Sequence, residues 1–492
     1  MSQTSLAPNA RPRPAIENPE TAVAARAAIE AFARLAWGAE AGAEELYIQG
    51  NPFRRPMRAK DLPFMSLDRP LPLARLAGNT SLALHRLLIN AYETDLLFLP
   101  PRDDAAAWRA FDAFYDAEAL RLADRVRPVL EHLAFGALPQ EVEIAGRWTG
   151  DLLDAYFREF LAEERKQAAR GVAQDPVLAA ILESADPTAA ARHYLIQMAP
   201  DFLSEASAMA RLAPGAYGPL QSALFNVLID EYGAGVHRAK HSTLFEATLS
   251  SLGLDATPHY YWQFYQPGAL ALTNYFHFVA RNKNHFFRYL GALFFTEASL
   301  VNATGRQGAL LRTIFGDAVD TRYFDEHHHI DRHHSEMVLA RLIEPAVAAY
   351  GQRAITGILT GFEEFRLLQA AADRDLIDQL SWAGHLVPND PRVAPLVADW
   401  RARRDTAPSE SFVECRDERS TTHIHPDDRL LVLEAGDMDF FPMAGVTLPL
   451  KAGDVLFIPG GRLHGSIVRS TECIYHQPIL AAATADPLWR AA

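Results

Sequence analysis

The sequence predicts a multidomain chain: a long all-α body followed by a small all-β barrel at the C-terminus. Three observations predict it. The chain has 492 residues, and at roughly 150 residues per domain that implies about three domains. From about Thr21 to about Leu380, apolar residues recur at helical spacing. After Phe412 the segments shorten, alternate and are punctuated by glycine.

The composition narrows the class. Hydrophobic residues at 49% and charged residues at 22% match an ordinary globular protein, which excludes a disordered chain, a collagen-like chain and a coiled-coil rod. Lys plus Arg number 47 against 61 Asp plus Glu, a formal charge of -14 that repels phosphate backbones, so no nucleic acid is expected as partner. The two cysteines, Cys415 and Cys473, rule out a disulfide scaffold and fit a reducing, cytoplasmic setting. No run of 18 uncharged apolar residues occurs, so no membrane span is expected. Residues 1–20 are polar and Pro-rich and read as a disordered tail without a targeting segment.

The elements follow in order. Thr21 to Trp37 is Ala-rich with helical spacing. Asn79 to Leu99 places Leu82, Leu84, Leu87, Leu88 and Ala91 on one broad stripe, with capping chemistry at Asn79-Thr80-Ser81 and a stop at Pro100-Pro101. Ala105 to Phe135 reads as helical with an interruption at Pro128. Asp151 to Arg170 is amphipathic and ends at Gly171. Further helical stretches cover Pro187–Leu212, Pro219–Leu252, Pro258–Ala303, Phe324–Tyr350 and Ile355–Ala372. Residues 386–410 carry loop signals at both ends and read as a linker. Beyond it, Arg429–Leu433, Val446–Leu450, Asp454–Ile458 and Ser466–Val468 read as short strands of a small barrel.

Histidine carries the functional signal. Of 18, five fall between His327 and His334. At about 100° per residue His327, Asp331 and His334 share one helical face and form a metal half-site. Glu205 and Glu297 lie in largely apolar stretches, where a carboxylate must be paired, protonated or bound to metal. Glu231 and His241, ten residues apart, fall about 80° apart on a helical wheel and can face one interior. Gly233 and Gly235 between them point to a close approach of backbone or ligand. His237 faces another way and reads as a surface residue. Carboxylates and imidazoles on a helical bundle suit two iron or manganese ions, while the absence of cysteine ligands disfavours an iron–sulfur cluster. A ferritin is a poor match, because Glu231 has no histidine three residues later.

A second set lies in the β region. In Thr422-His423-Ile424-His425 the two histidines at i and i+2 point to one face of a strand. Gly453-Asp-Val-Leu-Phe-Ile-Pro459-Gly-Gly461-Arg-Leu-His464 matches the second cupin motif, and His423, His425 and Gly436 match most of the first. The glutamate of the first motif is missing, its place falling near Arg429 or Leu430. A facial three-histidine site leaves open positions on an iron for substrate and O2.

The segments APDFLSEAS (199–207), DEYGAGVHRAKHSTLFE (230–246), FFTEASLV (294–301) and YFDEHHHIDRHH (323–334), followed by a cupin, resemble the N-nitrosourea-forming enzymes of streptozotocin biosynthesis. The resemblance spans about Asn51 to Tyr475. It implies a helical dimerisation region over 21–140, a heme-oxygenase-like diiron domain over 141–385 and a cupin over 411–492. It implies that Glu205, Glu231, His241, Glu297, His327, Asp331 and His334 bind two irons and that His423, His425 and His464 bind a third. It further implies hydroxylation of guanidine nitrogens of Nω-methyl-L-arginine with O2, then rearrangement to an N-nitrosourea at the cupin, in a homodimer. No flavin or nicotinamide motif is evident, so an external electron donor is expected. Other readings stay open at this point: N-hydroxylation of arginine or another guanidine, toward a diazeniumdiolate-type product; a cupin that only binds ligand; and iron storage. The missing glutamate near Arg429 leaves substrate identity open.

Overall fold

The computed structural model describes residues 19–35, 69–168, 171–404 and 406–480, without the side chains of residues 19–22, 168, 301 and 330–333. The tail expected over 1–20 lies outside the described residues except for Pro19 and Glu20, which open the first helix. That helix, α1, is Pro19–Ala33; its expected extension to Trp37 lies outside the described residues. There follow α2 (Asn79–Glu93), α3 (Ala105–Phe114), α4 (Ala117–Phe135) and α5 (Gly150–Ala168). Asp104 and Asp116 cap α3 and α4 by accepting backbone N–H groups, and the chain breaks between them at Tyr115. The expected interruption at Pro128 is not there, since Pro128 sits inside α4.

The body is built on α6 (Pro187–Phe202), α7 (Pro219–Glu231), α8 (His241–Ser251), α9 (Pro267–Arg281), α10 (Phe286–Phe315), α11 (Arg322–Val338), α12 (Glu344–Tyr350) and α13 (Gln352–Gly384). A five-residue π turn, Leu339–Ile343, joins α11 to α12. Three stretches read as continuous helices are therefore broken: 187–212 after Phe202, 219–252 after Glu231, and 258–303 around Asn282. A large apolar cluster from α2, α4, α5, α9, α10 and α13 forms the main core.

Helix α2 differs from the amphipathic element its stripe suggests. It is buried on all sides from Ser81 to Glu93, polar residues included. Those polar groups are partnered. Arg86 donates to the Thr422 carbonyl at 3.1 Å and to the Gln263 carbonyl at 3.0 Å, and Glu93 Oε1 lies 2.7 Å from His259 Nε2. Helix α2 thus ties the helical body to the β region.

The stretch 386–410 is not simply a linker, because it contains α14 (Ala394–Ala402). Eight strands follow: β1 (Ser409–Cys415), β2 (Arg419–Ile424), β3 (Arg429–Ala435), β4 (Asp437–Met443), β5 (Val446–Lys451), β6 (Val455–Ile458), β7 (Leu463–Val468) and β8 (Glu472–Pro478). They form two four-stranded antiparallel sheets, ordered β1-β8-β3-β6 and β2-β7-β4-β5. Leu431, Leu433 and Leu456 from one sheet share a core with Met438, Phe440 and Ile467 from the other. Three strands, β1, β4 and β8, lay outside the sequence expectation, and β2 was expected only at its Thr422–His425 end; polar positions blur the alternation. No described helix is long and apolar enough to cross a membrane.

Candidate metal centres

The first centre is assembled where helices end. Helix α6 stops at Phe202, and Ala206 adopts a left-handed backbone with φ 65°, so Glu205 sits in a turn rather than on a helix. Glu231 is the last residue of α7, and His241 is the first of α8. Between them Gly233 and Gly235 hold φ of +59° and +81° and reverse the chain. A Cβ on Gly233 would stand 2.5 Å from the Ala239 carbonyl carbon, so the close approach suggested by these glycines is one of backbone to backbone. The wheel geometry expected for Glu231 and His241 does not apply, yet the pair is adjacent: His241 Nδ1 lies 2.7 Å from Glu231 Oε2.

Helix α11 adds two histidines, both 2% exposed, so the side facing the core is set by them rather than by the exposed His329. His327 Nε2 lies 3.2 Å from Glu205 Oε1 and 3.1 Å from His241 Nδ1. His334 Nδ1 lies 3.3 Å from Glu297 Oε2 on α10 and 3.6 Å from Glu231 Oε1. The donor atoms fall into two groups, each within 4.8 Å: Glu205, Glu231, His241 and His327; and Glu231, Glu297 and His334. Glu231 belongs to both, one oxygen toward each. Asp331 lies on α11 between the two histidines, and its side chain falls outside the described ones.

Neighbours orient these candidate ligands, as a metal site would require. The His327 Nδ1–H donates to the Tyr323 carbonyl at 2.9 Å, which turns Nε2 inward. The Tyr323 hydroxyl donates to Glu205 at 3.0 Å. His334 Nε2 lies 3.2 Å from Asp230, which leaves Nδ1 for the centre. Burial pushes the Glu205 carboxyl upward, but His327 and His241 outweigh it and hold it below the ordinary range. Burial, with the charges of Glu205 and Glu231, pushes Asp201 up to about 7.

The residues fit two irons. Hard carboxylate oxygens and imidazoles surround two points that share a carboxylate, and Glu205 Oε2 is buried without a hydrogen-bond partner among the described residues. A cation would satisfy it.

The second centre lies in the β region. Antiparallel pairing of β2 with β7 sets His423 opposite His464, and His425 follows β2 on the same side. The three ring centroids are 4.5 to 5.1 Å apart. The Nδ1–H of His423 donates to the Thr421 carbonyl at 2.8 Å, and that of His464 to the Arg462 carbonyl at 3.0 Å, so both present Nε2 to the centre. Phe440 stacks on His464 at 5.5 Å. Arg429 is buried and paired with Glu410 at 2.6 Å, and the three-histidine group has no carboxylate among the described residues.

Residues 192–368 match a family of iron-containing redox enzymes. The chain is 44% identical over 425 residues to the nitrosourea synthase of Streptomyces achromogenes subsp. streptozoticus, covering 86% of this chain and 89% of that protein. The chain belongs to the nitrosourea synthase family. It is an iron-dependent oxidoreductase with a heme-oxygenase-like helical domain followed by an all-β region. A solved CADD-like protein of unknown function from Nostoc punctiforme matches at 16% identity over 46% of this chain and 99% of its own, with a TM-score of 0.36, a likeness that carries no weight here.

Sequence reasoning in this nitrosourea synthase family member missed Asp201, Asp230 and Tyr323; the two aspartates border apolar runs just as Glu205 and Glu297 do, so the same signal was there for them. A usable signal existed for Tyr323, which stands four residues before His327 on one helix face. Of the unassigned histidines, His237 is exposed, as expected, and His328 packs against Gly305. A cavity of about 80 Å³ touches Glu205, Glu231, Glu297 and His327, and a larger one of about 370 Å³ reaches Glu205 and runs along α10.

Proposed function

We propose that this chain hydroxylates guanidine nitrogens of an arginine derivative, Nω-methyl-L-arginine foremost, and converts the product to an N-nitrosourea. One observation carries the reading. Two separate, pre-oriented ligand sets, one helical and one in the β region, occur in a single chain 44% identical to a nitrosourea synthase. Glu205, Glu231, His241, Glu297, His327, Asp331 and His334 would hold two irons; His423, His425 and His464 would hold one. Bound iron supplies O2 activation, which a protonated, weakly nucleophilic guanidinium requires.

Each N-hydroxylation consumes O2, two electrons and two protons and releases water, so an external reductant is needed. The chain's own residues hold the side chains in place: burial and then Glu205 keep the Tyr323 phenol well above its ordinary range, so it stays a protonated donor to Glu205, and burial and then Glu297 likewise keep Tyr289 protonated. The β region is a cupin in this reading. The helical region over 21–140 pairs two copies of the chain, and the enzyme works in the cytoplasm.

The test is direct. Iron-loaded protein is incubated with Nω-methyl-L-arginine, O2 and a reductant, and product mass is read. The wild type should bind about three irons per chain and yield the N-nitroso product. His464→Ala should accumulate hydroxylated substrate, and Asp331→Ala should stop at the first step. Normal N-nitroso yield from His464→Ala would overturn the cupin's role.

A further inference from the structure

The larger cavity has a charge pattern of its own. One face of α10 lines it at Thr296, Leu300, Ala303, Arg306 and Gln307, a spacing that keeps all five on one side of the helix. Asp201 and Glu205 line the cavity at its Thr296 end, and Arg306 lies ten residues beyond Thr296, roughly 15 Å along the axis. Long side chains on a helix lean toward its N-terminus, which brings the Arg306 guanidinium back toward the metal ligands. The remaining span suits a linear amino acid about 8–9 Å long at ordinary bond lengths, and about 370 Å³ is ample for one.

The two ends differ in chemistry. At the metal end Asp201 lines both cavities, and no donor among the described residues reaches its carboxylate. An enclosed carboxylate without a donor is costly unless something cationic meets it. At the far end Arg306 is mostly buried, with Nη2 3.1 Å from Asp175, Nη1 3.0 Å from the Gln167 carbonyl, and Nε without a partner among the described residues. Glu164 and Asp373 also line this end. Three carboxylates beside one guanidinium accept both charges of a zwitterion.

We propose that this cavity binds an α-amino acid with a cationic tail: Asp201 receives the tail beside the metal ligands, Arg306 receives the α-carboxylate, and Asp373 receives the α-ammonium. The assignment rests on the guanidino amino acid reading above and adds the residues that select such a substrate and set which end meets the irons.

The experiment pairs changes in ligand with changes in protein, using calorimetric titration of the anaerobic, iron-loaded full chain. The component lost in Ala303→Phe, which fills the cavity, reports this site. Wild type should lose about tenfold to hundredfold in affinity when Nω-methyl-L-arginine is replaced by its decarboxylated analogue, and a similar factor when its guanidine is replaced by a neutral urea. In Arg306→Gln the first penalty should vanish while the second persists. In Asp201→Asn, an isosteric change, the reverse should hold. Undiminished penalties in both variants would overturn the assignment while leaving the substrate reading intact. Failure of the wild type to bind Nω-methyl-L-arginine in an Ala303→Phe-sensitive manner would overturn the substrate reading and this assignment together. Should Arg306→Gln fail to fold, the Asp201→Asn titrations and the wild-type ligand pair decide the matter.

Discussion

Gln379 grips the backbone of Leu463 from both sides: its Nε2 donates to the Leu463 carbonyl at 2.8 Å, and its Oε1 accepts the Leu463 N–H at 2.9 Å. Gln379 belongs to α13 of the helical body, and Leu463 precedes His464 of the three-histidine group on β7. The same helix supports the β region through Trp382, whose indole N–H donates to the Phe457 carbonyl at 3.0 Å. The body therefore holds the strand on which the second centre depends.

Gln379→Leu keeps the volume but leaves the Leu463 N–H and carbonyl unpaired in a buried setting. It should cost about 2–4 kcal/mol of stability and lower iron in the β region while the helical centre keeps its own. Iron per chain, measured in this variant and in a Gln379→Leu/His464→Ala double variant, checks it; equal loss of helical iron would contradict it.

Glu231 faces both halves of the helical centre, whereas Glu205 and Glu297 each face one. Glu231→Ala should abolish binding of both helical irons. Glu205→Ala and Glu297→Ala should each leave roughly one helical iron bound. Metal analysis after anaerobic loading and desalting distinguishes the two patterns.

Gly233 and Gly235 both have positive φ, but only Gly233 is crowded, with the Ala239 carbonyl carbon 2.5 Å from a built Cβ; nothing lies within 4 Å of one on Gly235. Gly235→Ala should cost only about 1 kcal/mol for its backbone conformation. Gly233→Ala must also open the reversal, so it should cost more than about 2 kcal/mol and weaken iron binding by separating Glu231 from His241. Denaturant titration of the two variants, with iron content alongside, measures the contrast.

Burial lowers His85 to about 3 and His193 to about 4 from an ordinary 6.5, so both stay neutral in the fold. Below pH 6.5 the unfolded chain takes up protons that the native chain refuses. Stability from these groups is therefore complete above pH 6.5 and falls as pH drops toward 4, by up to about 1.4 kcal/mol per group per pH unit. Thermal unfolding between pH 7.5 and 5 should show this acid limb, and it should be shallower in His85→Leu whatever that variant's stability at neutral pH.

Much of the site was readable from residue types alone. Carboxylates in apolar runs at Glu205 and Glu297 announced groups that need a partner when buried, and the i, i+7 spacing of His327 and His334 put both on one face of a real helix. The cupin-like motif pointed to His423, His425 and His464 because a strand's two-residue period and a glycine-rich turn leave little freedom. Less readable were the places where helices stop. The run 219–252 has helical periodicity throughout, yet Gly233 and Gly235 reverse it, and the stretch around Asp104 to Asp116 breaks at side-chain caps rather than at Pro128.

Local chemistry along the chain was enough to establish the helical body, the β region, and which residues could bind metal, since periodicity and donor type are properties of short segments. Which donors meet was settled by long-range packing. Glu205 in a turn, Glu231 and His241 on two helix ends, Glu297 on α10 and His327 and His334 on α11 converge only when the core closes. The sharing of Glu231 between two donor groups, the placement of Asp201 beside them, and the hold of Gln379 on Leu463 are relations between distant segments. No short-range preference encodes them, because each is a balance of burial and hydrogen bonding struck across the whole molecule.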